Sequence, residues 1–327
     1  MNVFISGIAA ALPSSVVSNK DIVEKIETTE AFIVQRTGVQ TRRHVAAEEG
    51  LQSLMVPSCA QAISNAGLRP DEIDMLIVNT ISPDHHDPSQ ACLIQPLLQL
   101  RQIPVMDIRA QCTGLVYGMD IARQFIVSGR CKHVLVACGE VLSKRMDNSI
   151  DGRNLAILLG DGAGAVVLSG TEEAGRGIID LRTGADGAYY KLLWTESPGS
   201  ANKTFNGDAN ACHQFRMNGR PMFNHAVEKI TEVCREILSH NHLSLEDIDI
   251  VIPHQPNLRI LDAVRDNLSI PEDKMWITVH KYGNMASACL PIALSEYMQS
   301  AGTLKNKMAL IVGYGSGATW GAVLYKF

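Results

Sequence analysis

The sequence repeats itself at a spacing of about half its length. "AGLRPDEIDMLIVNTISPD" (66–84) has a counterpart in "NHLSLEDIDIVIPHQPN" (241–257). Each reads as a helix end, a leucine, an acidic turn and an apolar strand, and Leu68 and Ile73 match Leu243 and Ile248 at one common offset. A second pair follows, "SGRCKHVLVACGE" (128–140) against "AGTLKNKMALIVGYG" (301–315), with Gly129 and Lys132 matching Gly302 and Lys305. Each half closes through a small-residue turn into a strand, "GDGAGAVVLS" and "GYGSGATWGAVLYKF". Continuous Val/Ile/Leu strands alternate with long helical patterns, as at 113–128 and 223–239, which indicates sheets covered on both faces. The expected organisation is two similar α/β halves, 1–170 and 177–327, packed as one body with no polar linker. The period is too long for a solenoid repeat.

Several function classes drop out. The 327 residues are 46% hydrophobic and carry a net charge of −5. No Lys/Arg block could neutralise a run of phosphates, so nucleic acid is not an expected partner. No stretch reaches the uninterrupted apolar length of about 18 residues that a membrane helix needs. The N-terminal "MNVFISGIAAALPSSVV" lacks a basic leader and is broken by Gly7 and Pro13, so it reads as a strand and turn. Eight cysteines occur without a CxxC, mostly inside apolar runs, which disfavours a zinc cluster or disulfide framework and fits a reducing cytoplasm. His85 and His86 lack companions at metal-ligand spacing, so no metal is expected. Gly313, Gly315 and Ala318 fit a dinucleotide loop, but a strand rather than a helix follows them.

Three polar groups stand at the ends of apolar runs. Cys112, in "IRAQCTGLVYG", sits where a strand gives way to a helix. One reading is core packing, common for free cysteine. The other is a nucleophile whose thiolate is stabilised by the helix N-terminus. His254 follows "IDIVIP", and Asn284 follows "WITVHKYG", where "WITV" is expected to be a strand. A histidine at a strand end is also an ordinary structural hydrogen-bonding residue, and Gly-Asn is also an ordinary turn.

Read together, "QCTGLVYG", "GDGAGAVVL", "HQPN", "YGNMASACLPIAL" and "GYGSGATWGA" resemble the β-ketoacyl-acyl-carrier-protein synthase III family of thiolase-fold condensing enzymes, and the likeness runs end to end, including "FIVQRTGVQTRR" (32–43). The resemblance implies a duplicated α/β unit forming a five-layer αβαβα body, and a homodimer. It implies that Cys112 is the acyl-accepting nucleophile, that His254 and Asn284 bind the malonyl thioester oxygen, and that the backbone N–H groups of Cys112 and Ser316 form an oxyanion hole. Phe32, Arg36 and Arg153 resemble coenzyme A contacts. Met217, Gly219, Phe223 and Asn257 resemble lining of the pantetheine tunnel, and Arg259 resembles an arginine that docks an acidic carrier protein. The substrates implied are acyl-CoA and malonyl-acyl-carrier protein, joined by decarboxylative Claisen condensation with no metal or redox cofactor.

The chain departs from the family in places. Serine stands at 316 where glycine is usual, phenylalanine at 32 where tryptophan is frequent, and Met285 where threonine is common. Asp87 occupies the position of an aromatic that reaches a partner's acyl pocket, beside His86. A carboxylate there is costly unless paired. It suits a pocket for a polar starter, or assistance to a second acyl substrate, or a rearranged loop with Asp87 in water. "LWTESPGS" (193–200), with Trp194, is expected in the acyl-binding cap. An alternative function keeps the acyl-Cys112 intermediate but passes the acyl group to a hydroxyl or amine, or joins two acyl thioesters, in specialised metabolism.

Overall fold

The structure is a computed structural model and describes residues 1–173, 175–195, 200 and 215–327. Two sheets run through it. The first contains β1 (Asn2–Ala11), β2 (Met75–Asn79), β3 (Val105–Ile108), β4 (His133–Glu140) and β5 (Gly162–Thr171), in the order β1-β5-β4-β2-β3. The second contains β6 (Gly177–Ala185), β7 (Ile250–Pro253), β8 (Met308–Gly315) and β9 (Thr319–Lys326), in the order β7-β8-β9-β6. Strand directions match position for position: β1 and β6 are antiparallel edges, and β4/β2 and β8/β7 are parallel pairs. The counterpart of β3 is reduced to one parallel bridge between Val251 and Met275.

The strands alternate, and each face finds a helix layer. On the first sheet Leu76, Leu135 and Val167 pack outward on α1 (Gln52–Asn65) and α2 (Gln90–Leu97), while Ile77, Val136 and Val166 point inward. On the second, Val251, Leu310 and Leu324 pack outward on α4 (Gly219–His240) and α5 (Leu258–Leu268), while Ile252, Ile311 and Val323 point inward. Between the sheets lie α3 (Gly114–Val127) and α6 (Cys289–Ser300), whose Leu115, Met119, Leu290 and Leu294 are fully buried in a core shared by both sheets. The layers are therefore αβαβα, the fold that the family resemblance implies.

One expected strand is absent. "WITV" leaves the sheet after a single contact, Trp276 N–H to the Val251 carbonyl at 2.9 Å. The cause is Gln255, whose Oε1 accepts the N–H groups of Thr278 and Val279 at 2.7 and 3.1 Å and turns the chain into a one-turn helix, Val279–Tyr282. Asn284 thus follows a helical turn, not a strand.

The two sheets are also tied by a polar contact. A bulge between Ile5 and Gly7 frees the buried Ile5 N–H, which donates to the Tyr325 hydroxyl of the second sheet at 2.9 Å. Tyr325→Phe strands that N–H, so equilibrium denaturation should show a loss of about 1–3 kcal/mol, with the far-UV circular dichroism of the folded state unchanged.

Candidate active site

Cys112 occupies a one-turn 3₁₀ segment, Gln111–Thr113, directly before α3. The turn is held from below by Asn79, the last residue of β2. Its Oδ1 accepts the Ala110 N–H at 2.9 Å, and its Nδ2 donates to the Gln111 carbonyl at 3.1 Å. From the side, the Thr113 hydroxyl donates to the Ala110 carbonyl at 2.6 Å and contacts Thr319 Oγ1 at 2.9 Å. Two glycines make this packing possible. A Cβ on Gly114 would lie 2.2 Å from the Asn79 side chain, and one on Gly315 would lie 2.9 Å from the Cys112 nitrogen. Ser316 follows Gly315, so the loop that carries it passes directly over the Cys112 turn.

The second half has an equivalent turn. Ala286–Ala288 precedes α6, and Ala286 has φ +41°, as Gln111 has φ +51° before Cys112. Ser287 is the mate of Cys112 at the offset that relates Leu68 to Leu243, and the same offset pairs Asn79 with His254. The Ser287 hydroxyl donates to Glu140 at 2.6 Å, a buried carboxyl that also accepts from Thr80, the Ile81 N–H and Ser82. Asn79 and Glu140 had no sequence motif of their own. For Asn79 the repeat held the signal, because it aligns with His254.

The segments that carry His254 and Asn284 come together around Cys289. His254 continues β7, its N–H donating to the Val312 carbonyl at 2.7 Å. Asn284 is pinned by its own N–H to the Leu158 carbonyl at 2.8 Å and by the Gly160 N–H to its carbonyl at 3.0 Å. Its Oδ1 accepts the Ala286 N–H at 2.8 Å, and Ala286 packs against Cys112. The Cys289 thiol lies 3.7 Å from Asn284 Oδ1 and 3.9 Å from the carbonyl of Gln255, the residue after His254. Among the described residues no hydrogen bond takes Asn284 Nδ2, which leaves that donor for an entering oxygen.

The electrostatics are those of a dry site. Burial pushes the Cys112 thiol well above the ordinary thiol range, with Cys289 and Glu140 adding to the effect. Burial also pushes His254 down to about 3, and its Nδ1 is sealed off without a partner. The resting pair is thus a thiol and a neutral imidazole, and desolvation outweighs the charge of the helix end. Cys112 shares an apolar cluster with Leu142, Leu159 and Ala286, and Ile81, Met146, Leu155 and Phe215 pack against that cluster.

A cavity of about 480 Å³ opens onto Asn284 and gathers Arg36, Met217, Gly219, Phe223, Asn257 and Arg259 on its walls. Asn257 also has structural duties: its Oδ1 caps α5 through the Arg259 N–H at 2.8 Å, and its Nδ2 holds the Arg36 carbonyl at 3.0 Å. Phe32 lies nearby as a ring between two guanidiniums, Arg36 at 5.6 Å and Arg153 at 5.1 Å. A second cavity, of about 710 Å³, holds Ser316, Trp194 and His86. Asp87 does not join it. In the single chain Asp87 is exposed to solvent, and His86 faces the cavity instead. Of the expected cap, Leu193–Thr195 is a short strand paired with Phe215–Met217, while 196–199 lie outside the described residues, as does Cys212.

Comparison with known proteins agrees with this layout. The family model described as "3-Oxoacyl-[acyl-carrier-protein (ACP)] synthase III" matches residues 106–187, and the model of the C-terminal part matches 238–327. A β-ketoacyl-[acyl-carrier-protein] synthase III of Aquifex aeolicus is 37% identical over 100% of both chains, and a crystal structure from that organism superposes with a TM-score of 0.92. The corresponding protein of Ehrlichia canis is 40% identical over 98% of each chain. The priming β-ketosynthase of the R1128 polyketide pathway is 30% identical, with a TM-score of 0.90 over 99% of this chain and 96% of that one. Full-length identity at this level, on a shared fold, makes the chain a member of the 3-oxoacyl-[acyl-carrier-protein] synthase III family of condensing acyltransferases.

Proposed function

We propose that the chain moves an acyl group from acyl-CoA onto Cys112 and then condenses it with malonyl-acyl-carrier protein, giving a β-ketoacyl-carrier. The observation that carries this reading is that Ala286, whose N–H is held by Asn284, packs in one cluster with the buried Cys112, while Asn284 also lines the 480 Å³ cavity with its amide donor untaken among the described residues and Cys289 links it to the residue after His254.

The steps follow from the groups present. The thioester enters through the 480 Å³ cavity, with Phe32, Arg36 and Arg153 at its mouth suited to an adenine ring and phosphates. Cys112 Sγ attacks the thioester carbonyl, and the C–S bond to coenzyme A breaks. The thiol proton leaves with the coenzyme A sulfur. The Cys112 and Ser316 N–H groups meet the oxyanion that forms in between, each donor contributing about 3 kcal/mol. Malonyl-carrier then docks through Arg259, which faces solvent at the cavity wall. Loss of carbon dioxide leaves an enolate whose oxygen takes hydrogen bonds from Asn284 Nδ2 and the His254 ring; the enolate carbon attacks the acyl carbonyl, the C–S bond to Cys112 breaks, and the released thiolate takes a proton from water to restore the thiol. A neutral imidazole is the right form for this role, because it donates without supplying a proton that would quench the enolate. The apolar side chains around Cys112 keep water from the thioester. The amide at 284 favours condensation over transfer to a hydroxyl or amine, which needs a base. No resident cofactor enters these steps. We also infer a homodimer, in which the exposed Asp87 loop faces the second copy, and a cytoplasmic setting for the thiols.

Two outcomes test the reading. In intact mass spectra, an acyl-CoA should add one acyl group to the chain and malonyl-carrier should discharge it. Cys112→Ala should abolish the adduct, whereas Asn284→Ala should load normally but discharge about 10²–10³-fold more slowly. If Asn284→Ala discharges at the parental rate, the condensation assignment fails. Because the thiol is raised and His254 is neutral above about pH 4, thiolate should grow about tenfold per pH unit from pH 7 to 9. Site-resolved alkylation of Cys112 by iodoacetamide should follow that slope. A plateau below pH 7 would reveal a standing thiolate–imidazolium pair instead.

A further inference from the structure

The second cavity shares Leu193 with the cavity just described, and Gln111 and Ser316 from the Cys112 turn and the loop over it line its wall. Ile81 and Phe215 line it and also pack against the apolar cluster that contains Cys112, so it lies beside the nucleophile's surroundings. Its walls carry Arg109, Lys144, Arg145 and His86, and among the described residues no carboxylate lines it. Lys144 is already committed, its Nζ donating to the carbonyls of Ala47 and Glu49.

Arg145 is different. One guanidinium nitrogen donates to the Ile81 carbonyl, and the group lies over the Phe215 ring at 5.0 Å. Its Nε is buried without a partner, and among the described residues no ion pair of Arg145 or Arg109 is formed. The buried Glu140 carboxyl acts on Arg145 only through its field, because its oxygens are taken by Thr80, Ile81, Ser82 and Ser287. A partly desolvated guanidinium with open N–H groups one side-chain layer from the nucleophile is costly unless an anion comes to it. Carboxylate is the anion whose two oxygens match the guanidinium fork.

We propose that the acyl group taken by Cys112 ends in a carboxylate, and that Arg145, with Arg109 beside it, recognises that end. The substrate class is then a dicarboxylic acid joined to coenzyme A through one of its two carboxyls. The far carboxylate takes no part in bond making, and the product is a β-ketoacyl-carrier that keeps it. This inference rests on the acyl-transfer reading above. The reaction consuming the product must tolerate or use a terminal carboxylate, and the reaction supplying the substrate must make a mixed acid–thioester.

The test compares initial rates of Cys112 acylation by intact mass, for the full chain with succinyl-, glutaryl- or adipyl-CoA against butyryl-, valeryl- or hexanoyl-CoA. The best carboxylated thioester should load about tenfold or more faster than its neutral counterpart, the size of one charge-assisted pair. Arg145→Gln and Arg109→Gln should each pull that ratio toward one, and Arg109→Gln supplies the reading if Arg145→Gln does not fold. Neutral acyl-CoAs loading equally well or better overturns the inference, as does an unchanged ratio in both variants. A uniform rise in KM for every acyl-CoA also overturns it, since the arginines would then serve coenzyme A phosphates. So does carboxylate selectivity that appears only in Asp87→Asn, because Asp87 of a second copy would then be the anion. Failure of every thioester to label Cys112 takes down the functional reading itself.

Discussion

Everything at the site depends on two helices held between the sheets, each with half or more of its residues buried. α3 and α6 are packed between the sheets, and their apolar residues belong to one core with strands of both. Moving either helix would disturb both sheets at once, because a close-packed interior does not deform continuously. The ends of α3 and α6 are therefore fixed relative to each other and to the strand ends around them. Cys112 stands immediately before one helix and Asn284–Ser287 immediately before the other. The active-site geometry is in this sense a by-product of core packing, and loops with little regular structure still present side chains in register.

The same burial sets the chemistry. A thiol this dry resists ionisation, and an imidazole this dry resists protonation. That is a poor arrangement for a standing ion pair and a good one for stabilising charge only while it exists. Fixed N–H donors in a low-dielectric site cost nothing to reorganise when an oxyanion forms. In the proposed reaction the site gives up a reactive resting thiolate and gains a thioester protected from water. Glu140 fits this picture as a scaffold: four donors from the end of β2 and from the Ser287 turn converge on it, joining the first sheet to the start of α6.

The sequence made the architecture legible because the repeat falls on buried elements. Ile73 and Ile248 are both almost wholly buried, and the strands after them pack the same way in each half. Cys112 and His254 were legible as polar residues ending apolar runs. The path to Asn284 was not: "WITV" has the composition of a strand, but the Gln255 side chain captures its backbone donors, and no local pattern records a contact of that kind. The cationic cavity was illegible for a related reason. His86, Arg109, Arg145, Trp194 and Ser316 come from five separate stretches and meet only in the folded chain. Asp87, the residue that stood out by position, faces water, while Arg145, which stood out by nothing in the sequence, lies beside the nucleophile's apolar shell.

The duplication also explains why the site is asymmetric. Each half offers the same two positions, one at the end of its second strand and one before its central helix. In the first half these hold Asn79 and Cys112, and in the second His254 and Ser287. Asn79 has become a support, spending both amide atoms on the Cys112 turn, and Ser287 has become a support, spending its hydroxyl on Glu140. In the proposed reaction the two remaining positions, Cys112 and His254, are the ones that face the substrate. A symmetric site with two thiols and two imidazoles would need twice as many buried polar groups satisfied, in a core with few donors to spare. Dividing the roles lets each half brace the reactive group of one segment with the spent group of another, so that fold stability and chemical function draw on the same pseudo-symmetric pairs without competing for the same atoms.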